Sequence, residues 1–329
     1  MSAQPRNAAM SHSEFELIRR FFSEQGVQRA DVPLGIGDDA ALLTPPADQQ
    51  LAMSVDTLIA GVHFPLDTPV LAVGHKALAV NLSDLAAMGA EPAWATLALS
   101  LPEADEAWLS DFARGFFSLA RKHQVQLVGG DTTRGPLSIT VQVTGFVPPG
   151  QALTRSGARP GDGVYLTGTV GDAGLGLRLQ QQGEPHSAVG ATLIRRLDSP
   201  APRIATGIHL RGRASSAIDV SDGLAADLGH ILAASGVGAE LHIEQLPLSA
   251  AFRELAPADA WQAAVSAGDD YELCFTLPPG EEHVLTELDC PCTRIGEITA
   301  TPGLRWYDAR GNELSLERSG FDHFSGQQP

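Results

Sequence analysis

Six short segments place aspartate among glycine, small and apolar residues: Gly37-Asp38-Asp39-Ala40, Ser54-Val55-Asp56-Thr57, Leu82-Ser83-Asp84-Leu85, Gly129-Gly130-Asp131-Thr132, Ile218-Asp219-Val220-Ser221-Asp222-Gly223 and Gly268-Asp269-Asp270-Tyr271. Apolar neighbours imply partial burial, and a buried carboxylate needs a cation or several hydrogen-bond donors. The chain has only two lysines, Lys76 and Lys122. A hard divalent metal is the natural substitute, because Mg²⁺ takes oxygen ligands and keeps waters and substrate phosphates in its shell. Taken singly, each aspartate also reads as a turn or a helix cap. The residues alone leave both readings open, separate turns and caps or one multi-metal site without salt-bridge partners.

Other motifs exclude more than they assign. Gly168-Thr169-Val170-Gly171-Asp172-Ala173-Gly174-Leu175-Gly176 follows a strand-like run and opens a helical one. It reads as a phosphate-binding turn or as a tight strand–helix turn. No G-x-G-x-x-G fingerprint and no P-loop Gly-Lys-Ser/Thr occurs, so neither a Rossmann cofactor domain nor a Walker ATPase is supported. His63, in Gly61-Val62-His63-Phe64-Pro65, has no second histidine at zinc-ligand spacing. There is no Gly-x-Ser-x-Gly elbow. Cys274, Cys290 and Cys292 are odd in number and read as ordinary thiols of a reducing compartment.

These residues must be positioned by a chain of 329 residues, enough for two domains or one large one. Hydrophobic residues make up 43% and the formal net charge is −17. The first excludes global disorder. The second disfavours nucleic-acid phosphates as partners. No apolar run is long enough to span a membrane, and a cytoplasmic protein is expected. Residues 1–12 lack the apolar centre of a signal peptide and read as a disordered tail.

Phe15, Ile18, Phe21 and Phe22 predict a helix over 14–25. A strand at 51–55 follows, then helices over 70–88 and 105–123, with an apolar strand at 93–100 between them. Strands are expected at 125–128 and 137–147, separated by polar GGDTTRGP. Pro148-Pro149-Gly150 is the strongest break. Beyond it come a strand at VYLTG, helices near 173–182, 188–196 and 201–210, a strand at 215–220 and a helix at 223–235. Strands or short helices continue to Arg305-Trp306-Tyr307. NLSDLAA (81–87) and VSDGLAA (220–226) form a weak internal echo. The mixed order favours an α/β and α+β arrangement in two parts. These are an N-terminal domain, 13–148, and a C-terminal α+β domain, 149–329.

Read in order, GIGDDAAL, SVDTLIAGVHF, KALAVNLSDLAAMGA, LVGGDTTRGPLSITVQVTGFV, LTRSGARPGD, YLTGTVGDAGLGL, AIDVSDGLAADLGHI, AGDDYELCF and the terminal GFDHF resemble the thiamine-monophosphate kinase family. That family lies within the AIR synthase-like superfamily, and the resemblance runs from about residue 14 to 324. It implies a two-domain AIR synthase-like fold. The N-terminal α/β domain would bind ATP and Mg²⁺ and pair with a second copy into a dimer barrel. It implies transfer of the γ-phosphoryl group of ATP to the phosphate of thiamine monophosphate, with several Mg²⁺ ions, and a homodimer. Asp39, Ser54, Asp56, Asp84, Asp131, Asp219 and Asp222 match metal-ligand positions. Val55 stands where some members carry Thr, a metal contact its backbone carbonyl can make. Gly130, Arg155 and Ser221 match ATP contacts. His63 and Asp269 match substrate contacts, Asp269 standing where members often carry Glu. At the position of a C-terminal aromatic substrate contact the chain has Arg318, with Phe321 the nearest aromatic.

Two alternatives stand beside this reading. One is another ATP-dependent enzyme of the superfamily, such as AIR synthase or a selenophosphate synthase, although no cysteine precedes Cys274. The other is a non-catalytic nucleotide- or metal-binding regulator, which loss of the matched aspartates would indicate, and none is lost.

Overall fold

The computed structural model describes residues 13–23, 25–183, 187–257, 260–317 and 320–321. The expected tail, 1–12, and Arg318 lie outside them. In the first half, β1 (Gln50–Ile59), β2 (Glu91–Leu101), β3 (Gln126–Arg134) and β4 (Ser138–Val147) accompany α1 (Glu14–Ile18), α2 (Val70–Ala87) and α3 (Glu106–Lys122). The helix expected over 14–25 is α1 followed by a π turn, Arg19–Ser23, in which the adjacent Phe21 and Phe22 are both buried.

The four strands order as β1-β4-β2-β3, antiparallel except for β2 with β3. β3 runs through the polar GGDTTR segment expected to be a loop. Two features permit this. β3 is an edge strand, so polar side chains can face solvent. Gly130 comes so close to β2 that a Cβ there would lie 1.8 Å from the Leu97 carbonyl oxygen. The apolar runs 93–100 and 137–147 form β2 and β4, the two interior strands. The edges are β1 and β3.

α2 lies against this sheet and is buried on nearly every side. It is rich in Ala because it has close neighbours on several faces. A Cβ at Gly74 would lie 2.1 Å from the Phe112 carbonyl oxygen of α3. β1 turns Ser54, Asp56 and Leu58 toward α2 and leaves Leu51, Met53, Val55 and Ile59 exposed on the other face.

The second half contains β5 (Gly163–Thr167), α4 (Asp172–Gln182), α5 (Ala188–Asp198), α6 (Ile204–Leu210), β6 (Ser216–Asp219), α7 (Leu224–Ser235) and β7 (Gly238–His242). Then come α8 (Ala250–Leu255), α9 (Trp261–Ser266), β8 (Leu273–Leu277), β9 (Cys292–Thr299), β10 (Gly303–Tyr307) and β11 (Glu313–Leu314). Its sheet orders β11-β10-β7-β9-β5-β8-β6, and α7 packs over it through Leu224, Leu228, Ile231 and Leu232. α6 reaches back to the first half, where a Cβ at Gly207 would lie 2.0 Å from the Ala86 carbonyl oxygen of α2. Thus α2 touches both halves. Among the described residues no helix is long and apolar enough to cross a membrane.

Candidate active site

A cavity of about 1090 Å³ opens between the halves. β1 and the turn after it supply Val55, Asp56 and His63. α2 supplies Val80 and Asp84. The end of β6 and its loop supply Asp219, Ser221 and Asp222, and the approach to β8 supplies Asp269 and Tyr271. Phe321 closes one side, its amide donating to the Asp222 carbonyl oxygen at 2.9 Å.

The acidic end is built by β1 against α2. The Ser54 hydroxyl donates to Asp84 Oδ2 at 2.5 Å. The Asp56 amide donates to Asn81 Oδ1 at 3.0 Å, and Asn81 in turn donates to the Ala77 carbonyl oxygen at 3.1 Å. Fully buried Asn81 therefore locks the register in which Asp56 meets Asp84. Burial, then the charges of Asp84 and Asp222, push the Asp56 carboxyl up to about 7. Burial also raises Asp84, against the Ser54 hydrogen bond and the Arg155 charge. Asp219 is pushed up to about 8 by burial and then by Asp84.

The Ser221-Asp222-Gly223 turn is shaped by a residue that sequence reading missed. Asp227 Oδ2, on the first turns of α7, accepts the amides of Ser221, Asp222 and Gly223, each at 3.1 Å. Those donors favour its charge, but burial and the neighbouring Asp222 charge prevail and hold its carboxyl near 7. The Asp-x-x-x-x-Asp spacing from Asp222 to Asp227 was the available signal.

At the other end, the Ile59 amide donates to His63 Nδ1 at 3.0 Å, which leaves the ring proton of a neutral His63 on Nε2. Asp269 is not unpaired, contrary to the expectation for these aspartates. Lys76 Nζ lies 3.2 Å from its Oδ1.

The structure does not gather every expected residue. Asp39 and Asp131 are exposed, and neither they nor Gly130 line the cavity. Asp131 is on β3, three strand spacings or about 14 Å along the sheet from β1. Arg155 is exposed on the loop before β5, within charge range of Asp84. Among the described residues no three His, Cys, Asp or Glu side chains are gathered tightly enough to hold an ion as they stand. The donor set nevertheless fits a hard cation. Its atoms are carboxylate and hydroxyl oxygens, and buried Asp219 and half-buried Asp56 and Asp84 are acids raised by burial and, for Asp56 and Asp219, by the charge of Asp84. The glycine-rich turn before α4 is a tight strand–helix turn whose Gly171 amide is taken by Asp270 Oδ2 at 2.8 Å.

Residues 37–147 match the family described as AIR synthase related protein, N-terminal domain, and residues 159–308 its C-terminal domain. The thiamine-monophosphate kinase of Escherichia coli K12 is 51% identical over 96% of this chain and 99% of its own length. That of Bacillus subtilis is 36% identical over 94% and 99%. The chain belongs to the thiamine-monophosphate kinase family. The crystal structure of the family member from Stenotrophomonas maltophilia superposes with a TM-score of 0.83 at 51% identity, covering 87% of this chain and 93% of that one. AaThiL complexed with AMPPCP and TMP superposes at 0.77 with 33% identity, covering 88% and 92%. The fold is thus the two-domain AIR synthase-like fold of that family.

Proposed function

We propose that this chain is a thiamine-monophosphate kinase that passes the γ-phosphoryl group of ATP to the phosphate of thiamine monophosphate, releasing ADP and thiamine diphosphate. Family membership supports the reaction. The observation that carries it is the shape of the cavity, with oxygen-rich acids at one end and His63 with Asp269 at the other. An acceptor with a phosphate at one end and heterocycles at the other fits that polarity.

Both reactants are anionic, so their repulsion must be cancelled before in-line attack. Asp56, Asp84, Asp219 and Asp222, with Ser54 and the Val55 carbonyl, would hold Mg²⁺, which supplies charge neutralisation and a clamp on both phosphates. Asn81 and Asp227 keep those oxygens in place. The attacking atom is already a phosphate oxygen, so no side chain has to remove a proton from it. We assign Ser221, Arg155 and Gly130 to ATP, and His63, Asp269 and Phe321 to the acceptor. The domain division at residue 148 and a cytoplasmic location belong to the same reading.

The reading includes a homodimer. Among the described residues β1 and β3 are the edges of their sheet, and β1 exposes Leu51, Met53 and Val55. Closing a barrel with a second copy would cover that face. It would also explain why Asp39, Gly130 and Asp131 stand apart from the cavity acids of their own chain. The test is to incubate the protein with ATP, Mg²⁺ and thiamine monophosphate and separate the products by chromatography. Thiamine diphosphate is expected from the monophosphate and not from free thiamine. Equal turnover of the two acceptors, or no product, would overturn the reading.

A further inference from the structure

Lys76 is only 2% exposed and lies beneath the cavity rather than on its wall. Its ammonium reaches Asp269 Oδ1 at 3.2 Å and the His63 carbonyl oxygen at 3.4 Å. Tyr271 donates its hydroxyl to the same Asp269 Oδ1 at 3.0 Å. Both partners take one oxygen, so among the described residues Oδ2 is the one left for a ligand. The backbone there is unusual. Asp269 has φ +68° and Tyr271 φ +50°, left-handed values that cost a bulky residue free energy and persist only where surroundings enforce them. The enforcement comes from the amides of Asp269 and Tyr271, which donate to the Ser221 and Val220 carbonyl oxygens at 2.9 and 2.8 Å.

Stability alone does not call for a lysine here. A buried ion pair is often no better than apolar side chains of the same volume. Lys76, Val80 and Asp84 lie four apart on one face of α2, so Lys76 sits about 12 Å along the helix from the acidic end. That is about the length of an extended acceptor with a phosphate at one end and heterocycles at the other.

We propose that Lys76 and Tyr271 are positioning residues that clamp Asp269 Oδ1 and tie it to the His63 turn, aiming Oδ2 at the heterocyclic end of the acceptor. α2 then acts as the spacer between phosphate and heterocycle. This rests on the function proposed above, and the test separates the two. Steady-state kinetics are measured for the full chain and for Lys76→Met, Tyr271→Phe, Asp269→Ala and the doubles K76M/D269A and Y271F/D269A. Each clamp variant should raise KM for thiamine monophosphate by about tenfold, with kcat and KM for ATP within about threefold of wild type. Each double should show nearly the KM of D269A alone, because the clamp has no oxygen to hold once the carboxylate is removed.

Normal KM for the acceptor in both clamp variants, an equal rise for ATP, or additive doubles would overturn the inference and leave the kinase reading intact. If Lys76→Met does not fold, Y271F and its double decide, since only a hydroxyl is lost. No thiamine diphosphate from wild type would overturn the proposed function and this inference together.

Discussion

Asp84 accepts the Ser54 hydroxyl and faces Asp56 where little solvent remains. Asn at this position keeps the shape and one oxygen but removes the charge that would bind Mg²⁺. Asp84→Asn should lower turnover at least about a hundredfold, roughly 2.7 kcal/mol of transition-state stabilisation. The metal-free melting temperature should stay unchanged or rise, because repulsion within the acid cluster falls. Near-normal turnover at moderate Mg²⁺ would make Asp84 a structural residue. The same cluster sets a pH dependence. Asp56 and Asp227 titrate near 7 and Asp219 near 8 in the folded chain, above the usual carboxylate value. The native state then binds more protons than the unfolded state across roughly pH 4–8, so these groups' contribution is complete below that window and is lost as pH rises through it. Metal-free melting should fall from pH 5 to pH 8, and saturating Mg²⁺ should flatten the slope. Differential scanning calorimetry across that range checks this, and a metal-free melting temperature that climbs with pH would refute it.

At the scale of elements, α2 is the part on which the site depends. It carries Lys76, Asn81 and Asp84, and it is seated by contacts too close for any side chain larger than glycine at Gly74 and Gly207. Gly207→Val replaces no cavity side chain but presses α6 against the Ala86 carbonyl. Overpacking of this kind costs about 1–3 kcal/mol. The midpoint of urea unfolding should drop accordingly, and turnover should fall with it, since α2 must shift or α6 detach. A wild-type midpoint would mean that the α2–α6 contact is slack. Asp227 plays the corresponding part for the Ser221 turn, with one carboxylate oxygen gathering three amides that the turn leaves pointing inward.

For the whole molecule, the exposed face of β1 is the feature a single chain leaves unresolved. Met53 is 64% exposed on an edge strand, beside exposed Leu51 and Val55. A charge there is harmless to a monomer and unfavourable inside a subunit interface. Met53→Glu should convert a dimer to a monomer in light scattering at micromolar concentration without lowering helix content. If the partner completes the site with Asp39 and Asp131, turnover should fall in parallel. A wild-type chain that is already monomeric would refute the pairing.

The sequence by itself determined the family, through its ordered motifs, and the split character of the chain, and it singled out the aspartates among small and apolar residues, several of which the cavity brings together. It also determined the long helix at 70–88 and the strand–helix order after residue 148, since these follow from local periodicity. Tertiary structure decided what local pattern cannot encode. GGDTTR became an edge strand because Gly130 can approach the Leu97 carbonyl, and the apolar runs 93–100 and 137–147 became interior strands because pairing order is non-local. Tertiary structure also separated the acids into a cavity group on β1, α2 and β6 and an exposed pair, Asp39 and Asp131. Lys76, one of two lysines, was visible as a rarity in the sequence. Its partner 193 positions away was not, because an ion pair between α2 and the approach to β8 exists only once the two halves have closed on each other.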